Sequence, residues 1–347
     1  MNIVDIVYNP WFSGIVGLLL IGIVFVCAIL AVWLERKFGA DIQSRIGPNR
    51  VGGRYGILQG VADAIKLFTK EDLIPAKADR LLFVLAPIIV LGSGFMMIVA
   101  IPFGAIVIGD NVYPIAATQM DISVIYLEAV SALSVLGIFM AAYGSNNKYS
   151  MIAAFRNMAR MIGYEVPLGV CIIGVAVMAQ SLDIVVIAKA QSPLWFVFLQ
   201  PIGFVVFFIS ILADMGRLPF DQNEAEEELV AGWGTEYSGL RWGLGLFGEY
   251  IHMVLGACLM VLLYLGGWNL PRFITDIFVL GSLMPIFWFV GKVTIIVFII
   301  IMIRWALPRY RIDQVVNLGW KVLFPLSILN LIWAVALSLA FDMIFGA

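Results

Sequence analysis

Eight runs of about 20 mostly apolar residues, each bounded by charge, proline or glycine, recur along this chain, and that is the length an α-helix needs to cross a bilayer. They extend from about Ser13 to Leu34, Leu81 to Phe103, Asp121 to Tyr143, Gly163 to Ser181, Trp195 to Met215, Glu249 to Trp268, Leu283 to Trp305 and Leu323 to Phe345. Composition closes the alternative of a water-soluble core: 62% of residues are hydrophobic and 13% charged, where soluble domains carry about a quarter charged. A transmembrane barrel would alternate in segments of about ten residues, whereas stretches such as Val293 to Ile303 are continuously apolar. The expected fold is an all-α integral membrane protein, one membrane domain over residues 1–347. The first run follows a start that holds Asp5 and no lysine or arginine, and it is long enough to span, so it reads as a retained helix and not as a cleaved leader.

Lysine and arginine in short loops favour the cytoplasmic side. With eight spans, all but three of the 21 such residues fall in the odd-numbered loops. Loop one holds Arg36, Lys37, Arg45, Arg50, Arg54, Lys66, Lys70, Lys77 and Arg80. Loop three holds Lys148, Arg156 and Arg160, loop five Arg217 and Arg241, and loop seven Arg304, Arg309, Arg311 and Lys321. Lys189 and Arg272 fall on the other side, and Lys292 inside a span. This pattern places the odd loops in the cytoplasm of a prokaryotic cell and both termini outside.

Loop one, residues 35–80, is too long to be structureless, because such loops beyond about 12–15 residues are uncommon without a function. Over residues 56–69 it places Ile57, Val61, Ile65 and Phe68 on one stripe and Gln59, Asp63 and Lys66 on the other, an amphipathic helix. Pattern alone leaves two readings open, a helix on the membrane surface or one folded back over a cavity. Ahead of it, Arg45-Ile46-Gly47-Pro48-Asn49-Arg50-Val51-Gly52-Gly53 combines turn formers with arginines able to clamp acidic groups. Loop five, residues 216–248, carries Arg217-Leu218-Pro219-Phe220-Asp221 and then Glu224, Glu226, Glu227 and Glu228, followed by the aromatic, glycine-rich Gly232 to Gly239. An acidic run is often merely solvated; flanked by spans, this one reads as lining something.

Glu128, Glu165, Asp214, Glu249 and Lys292 fall within or at the ends of spans, where an ion is costly and its usual reason is a wet interior or a proton pathway. Glu165 precedes Pro167 and Glu249 opens its predicted span, so capping of a helix N-terminus is an equal reading for both. Lys292 should be neutral or paired with a carboxylate of another helix. Asp121, Asp183 and Asp276 sit at outer ends, where water accounts for them. Cys27, Cys171 and Cys258 lie singly in three apolar segments without metal-ligand spacing and read as packing residues, and the single His252 as a packing or hydrogen-bonding group in its helix.

The string Glu35-Arg36-Lys37 through Gln43, Arg45, Gly47-Pro48-Asn49 and Val51-Gly52, then Leu58-Gln59, Asp63, Lys66-Leu67 and Lys70-Glu71, resembles the first cytoplasmic loop of one membrane-subunit family of respiratory complex I, the family of its subunit 1, or H subunit. Three further stretches agree in order: Ser145-Asn146 with Lys148-Tyr149 and Gly163-Tyr164-Glu165-Val166; Arg217 to Gly239; and Arg304, Pro308-Arg309, Asp313-Gln314 and Trp320-Lys321. Together they span nearly the whole chain.

The resemblance implies an eight-helix subunit that joins the membrane arm to the peripheral arm and forms most of a quinone chamber. It implies no cofactor bound by this chain, a quinone or methanophenazine as substrate, an iron–sulfur cluster in a neighbouring subunit, and no nucleic acid partner. Carried over by position, Arg36, Asp63, Lys66, Arg217, Phe220 and Arg304 line the quinone cavity. Glu35, Glu128, Glu165, Asp214, Asp221, Glu224, Glu226 and Glu249 form an acidic path toward the proton channels. Moving one charge against about 100 mV takes roughly 2.3 kcal/mol, less than about two pKa units on one carboxylate, so carboxylates responding to carrier reduction suffice energetically. Three positions depart from the family pattern: Asp214 stands for a usual Glu, Gly216 for an Asn, and Gly53 for a Pro, which bears on cavity geometry. The electron donor, NADH, ferredoxin or a reduced deazaflavin, is not encoded in this chain. The competing readings are the related subunit of a membrane-bound energy-converting hydrogenase and a stand-alone secondary transporter; the long basic loop one argues against the transporter.

Overall fold

The computed structural model describes residues 10–108, 111–222, 226–269 and 283–345. Its elements in chain order are α1 (Pro10–Ile42), α2 (Gln59–Thr69), α3 (Arg80–Ala100), the hairpin β1 (Ala105–Ile108) and β2 (Asn111–Pro114), α4 (Ser123–Gly144), α5 (Lys148–Ala179), α6 (Ile184–Ala190), α7 (Phe196–Leu199), α8 (Pro201–Asp214), α9 (Glu226–Leu229), α10 (Gly239–Tyr264), α11 (Met284–Ala306), α12 (Ile312–Leu318) and α13 (Phe324–Phe345). A π-helical turn, Gly319–Leu323, joins the last two. The protein is an all-α membrane protein, and among the described residues seven helices are long and apolar enough to cross a bilayer.

The fifth predicted span takes a different form. Gln200 adopts a non-helical conformation between α7 and α8, and Pro201 opens α8, so the apolar segment breaks into a single turn and a 14-residue helix. At about 1.5 Å per residue α8 covers about 21 Å, short of the about 30 Å hydrocarbon core. It nonetheless runs between the same two ends of the bundle as its neighbours. Its start, at Gln200, donates a hydrogen bond to Gly174 O near the end of α5, at 3.1 Å, and its end leads to Arg217.

Other predicted boundaries move outward because helices project beyond the apolar window. α5 begins at Lys148 and not near Gly163, N-capped by the Asn147 side chain on Tyr149 N. Its 32 residues span about 48 Å, so most of predicted loop three is helix. α1 extends to Ile42 and α10 begins at Gly239, absorbing the edges of loops one and five. The amphipathic helix of loop one is present as α2. It is folded back against α1 and α10: a Cβ on Gly60 would lie 2.5 Å from the Ile29 side chain, and one on Gly243 would lie 2.7 Å from the Leu67 side chain. The short β-hairpin after α3 has no counterpart in the apolar pattern; its register pairs Ala105 with Pro114 and Ile106 with Tyr113.

α10 is the central element, with every residue from Gly248 to Tyr264 buried, and α3, α1 and α11 pack most closely on it. α1 and α13 bury the least and present residues such as Leu18 and Ile332 outward. Odd-numbered loops meet at one end of the bundle. There Asn147 donates to Glu236 at 2.6 Å, Arg241 pairs with Asp72 at 3.1 Å, and Gln222 donates to Tyr310 O at 2.7 Å. Even-numbered connections meet at the other, where Ile184 N donates to Ser123 Oγ at 2.8 Å and Gly266 N to Gln191 Oε1 at 2.7 Å.

Lys292 belongs to that second end. Its Nζ donates to the carbonyls of Leu265 at 2.5 Å and Gly267 at 2.9 Å, and lies 4.4 Å from the centre of the Trp195 ring. The expected carboxylate partner is replaced by backbone oxygens that the end of α10 leaves without helical donors. His252 bonds across helices and not within its own, its Nε2 3.0 Å from Ser93 Oγ of α3. Arg272 and Asp276 lie outside the described residues, and Cys27 is exposed while Cys171 and Cys258 are buried.

Candidate functional site

Three regions, two at the basic end and a third reaching into the bundle, bring the sequence candidates together. The first is a chamber of about 570 Å3 enclosed by α1, α2 and the start of α10. Its walls are mainly apolar, with Phe25 and Ile29 from α1, Leu67 and Phe68 from α2, and Leu246 and Phe247 from α10. Arg36, Asp63 and Lys66 also line it, so three of the six predicted cavity residues share this wall. Arg36 is ion-paired with Asp63, and Gln59 Nε2 donates to the other Asp63 oxygen at 3.0 Å. The amphipathic pattern explains the arrangement: α2 needs an apolar surface for one stripe, and α1 with α10 supply it. Of the two readings of α2, the structure takes the one in which it folds over a cavity.

The second region is a charge cluster centred on Glu35, in which Glu35 and Arg217 are buried and Arg304 is partly exposed. Arg304, in the last turn of α11, pairs with Glu35 Oε1, and Arg217 Nη1 lies 3.5 Å from Oε2. Arg217 reaches this point because the chain turns immediately after α8, with Phe220 N donating to Arg217 O at 2.8 Å. Its guanidinium also stacks over Tyr250, 4.0 Å from the ring centre. Burial opposes the Arg217 charge, but Tyr250, Glu35 and Glu249 outweigh it and hold the guanidinium firmly protonated, its pKa above the usual range. Tyr250 is the hinge between regions, because it lines the chamber on one side and carries Arg217 on the other. Phe220 faces neither; its ring packs between Tyr164 at 5.2 Å and Tyr310 at 5.9 Å. Arg217, Phe220 and Arg304 therefore stand behind the chamber wall and not on it.

The third region is a small cavity of about 30 Å3, room for about two waters, in which ionisable groups stand among apolar side chains. Glu128 of α4, Asp214 of α8 and Glu249 of α10 converge on it, together with Arg160 and His252. Glu128 Oε1 is buried and has no hydrogen-bond partner among the described residues. Glu165 is absent from the lining, but it lies one turn before Gly169, where a Cβ would sit 3.6 Å from Glu128 Oε1. Neither Glu165 nor Glu249 caps a helix. Each lies well inside its helix, α5 beginning at Lys148 and α10 at Gly239, so the capping alternative is removed.

The remaining candidates divide. Asp221 is buried and accepts from Arg309 Nη2 at 3.1 Å, which ties loop five to loop seven. Glu224 lies outside the described residues, and Glu226 opens α9 with its side chain outside them. Glu228 pairs with Arg156 of α5. Tyr237 also lines the chamber. Burial pushes its hydroxyl above the usual range, with Arg241 opposing, and it donates to Phe83 O at 3.0 Å as a neutral group.

Three residues escape a reading by sequence. Tyr250 follows Glu249 and carries no signal of its own. His252 looks like an ordinary packing group. Arg160 falls in a predicted loop. A helical stripe of Ser150, Ala153, Ala154, Asn157, Arg160, Gly163, Tyr164 and Pro167 runs through that loop at spacings of three and four, and it marks Arg160 as inward-facing.

The fold is that of a multi-pass helical membrane subunit, and the comparisons with known proteins make it one of a complex I-type oxidoreductase. The chain belongs to the NADH dehydrogenase family of membrane subunits, whose model matches residues 15–335. It is 63% identical over 330 residues to the H subunit of F(420)H(2) dehydrogenase from Methanosarcina acetivorans, covering 95% of this chain and 94% of that one. Against the NADH-quinone oxidoreductase H subunit numbered 2 in Rhizobium meliloti it is 44% identical over 315 residues, 90% and 93% of the two chains. Against the H subunit of NADH-quinone oxidoreductase from a Geobacillus species it is 42% identical over 327 residues, 93% and 94%. It is thus a subunit of an oxidoreductase complex and works with partner subunits.

Proposed function

We propose that this chain houses the reduction of a quinone-like, lipid-soluble carrier and passes the resulting charge changes to proton translocation. The observation that carries this reading is the chamber of about 570 Å3, apolar along its walls and adjoining through Tyr250 the Glu35–Arg217–Arg304 cluster. A hydrophobic tail suits the Phe25, Ile29 and Phe247 walls, and a polar redox head suits the lining groups Arg36, Asp63, Lys66 and Tyr250. Reduction takes up protons with electrons, so the charge near the head changes during turnover. Arg217 and Arg304 are positioned to meet that change electrostatically, Glu35 holding them in place.

The acidic path runs from Glu35 and Asp221 to Glu128, Glu165, Asp214 and Glu249, with Glu224 and Glu226 as its loop-five members. Intramembrane carboxylates around a wet cavity are the usual apparatus of proton transfer. This chain binds no cofactor in this reading; electrons arrive from an iron–sulfur cluster in a peripheral-arm subunit, and membrane-arm subunits receive the proton signal. Higher identity to the F(420)H(2) dehydrogenase relative than to the NADH-linked ones favours a reduced deazaflavin as donor. The basic end faces the cytoplasm.

The test uses sealed vesicles holding the assembled complex, with reduction of decylubiquinone or 2-hydroxyphenazine followed together with the pH gradient. Arg217→Ala is expected to lose carrier reduction and Glu165→Gln to lose gradient formation more than reduction. Wild-type rates and gradients in both would sink the assignment and leave a membrane anchor.

A further inference from the structure

The small carboxylate cavity contains a cation that the acidic path does not use. Arg160 is 1% exposed, lies on α5 and lines the cavity with Glu128, Asp214 and Glu249. Its Nη1 donates to Phe220 O at 3.0 Å and its Nη2 is bonded to Asn157 Oδ1. Phe220 O belongs to the same turn that delivers Arg217 to Glu35. One side chain therefore holds the turn behind the chamber and places a permanent charge in the cavity beyond it.

The manner of its charge compensation is informative. Removing a guanidinium from water is costly without a counter-charge, and the hydrogen bonds that hold Arg160 in place go to the neutral oxygens of Phe220 and Asn157. Its Nε is buried without a hydrogen-bond partner among the described residues. The acidic and ionisable groups facing it are Asp214 of α8, Glu249 of α10, Asp221 of loop five and Tyr164 on its own helix, with Glu128 and His252 across the cavity. A direct ion pair would lock one carboxylate in its charged form. A cation held by neutral acceptors a short distance away favours negative charge on the cavity carboxylates without being committed to any one of them through these bonds.

We propose that Arg160 is a positioning residue that couples the Arg217–Phe220 turn to the carboxylates of the cavity, so that movement or charge change at the chamber alters the field in which those carboxylates exchange protons. This rests on the proposed carrier reduction and proton path, and adds to them the part that joins the two. Its charge is essential, and its hydrogen bond to Phe220 O supplies the mechanical link.

The experiment compares wild type, Arg160→Gln and Arg160→Lys in the whole complex in sealed vesicles, measuring protons moved per electron and the KM and kcat for decylubiquinone or 2-hydroxyphenazine. Arg160→Gln removes the charge and keeps a shorter polar side chain at the position. Its proton-to-electron ratio is expected to fall to about half or below, with carrier reduction lowered roughly threefold or less and through kcat, not KM. Arg160→Lys should recover most of the ratio. A wild-type ratio in Arg160→Gln overturns the proposal. So does equal, proportionate loss of both activities in the two variants, which is what a merely structural role gives. If Arg160→Gln does not assemble, Asn157→Ala carries the test, because it releases the guanidinium from one anchor and keeps the charge. A lowered ratio then supports the coupling and a wild-type ratio overturns it. Failure of the wild-type complex to reduce either carrier or to move protons would instead refute the underlying functional reading.

Discussion

Glu35 shows how much one side chain can hold together at this site. It is 5% exposed and faces Arg217 and Arg304, which arrive from two different parts of the chain. Breaking a buried pair strands the partner charge and typically costs about 3–5 kcal/mol. Glu35→Gln is therefore expected to lower the temperature at which the detergent-solubilised complex disassembles, more than Asp63→Asn does at the exposed Arg36 pair. Equal shifts would mean that the Glu35 cluster is wetter than its burial implies. Lys292 poses a different residue-scale question, since its Nζ answers carbonyls at the end of α10 and not a carboxylate. Lys292→Met leaves those oxygens unsatisfied, at about 1–3 kcal/mol for a buried polar group. The expected result is a lower disassembly temperature with the ratio of protons to electrons unchanged; a changed ratio would place Lys292 in the proton path. Sequence makes Lys292 conspicuous because charge inside an apolar run stands out, and Glu35 only through the loop-one motif; the partners of both come from segments distant in the chain, which local pattern does not encode.

At the scale of elements, the apolar runs are readable because the bilayer fixes their length. Their ends are not, because α1 and α5 continue past the hydrocarbon core. Once α5 leaves lipid it can carry Lys148 on an exposed outer turn and Arg156 on a partly exposed one, so a hydropathy window takes polar helix for loop. The division of the fifth span has a visible cue in Gln200-Pro201, a polar residue before a helix-opening proline. The approach of α2 to α10 is legible only as amphipathicity; what permits it is Gly243, where a Cβ would lie 2.7 Å from Leu67 Cδ1. Gly243→Leu should push Leu67 into the chamber and raise the apparent KM for decylubiquinone about tenfold, equivalent to about 1.4 kcal/mol, in an assembled complex. Gly14→Leu on α1, where a Cβ meets nothing within 4 Å, serves as the control. An unchanged KM in Gly243→Leu would show that the carrier does not occupy this chamber.

For the whole molecule, the arrangement of charge and contact poses one question, which side each end faces. Loops one, three, five and seven are joined by polar contacts such as Arg241 to Asp72, Asn147 to Glu236 and Arg309 to Asp221. The even connections are joined by others such as Gln191 to Leu262 O, at 2.7 Å. Two separate polar layers with an apolar bundle between them are what a bilayer requires, since exposed groups such as Leu18 on α1 and Ile332 on α13 then meet lipid or neighbouring subunits and not water. The positive-inside rule assigns the lysine- and arginine-rich layer to the cytoplasm. Arg54 and Thr118 are both exposed and lie in opposite layers. In a Cys27→Ser background, Arg54→Cys is expected to react with a membrane-impermeant maleimide only in inside-out vesicles, and Thr118→Cys only in right-side-out ones. The reverse pattern would invert the orientation and put the chamber on the wrong side for a cytoplasmic electron donor. Labelling of both from one side would break the two-layer arrangement itself. The expected pattern would place the Arg36–Asp63 pair of the chamber where peripheral-arm subunits can reach it, the geometry that carrier reduction at this site requires.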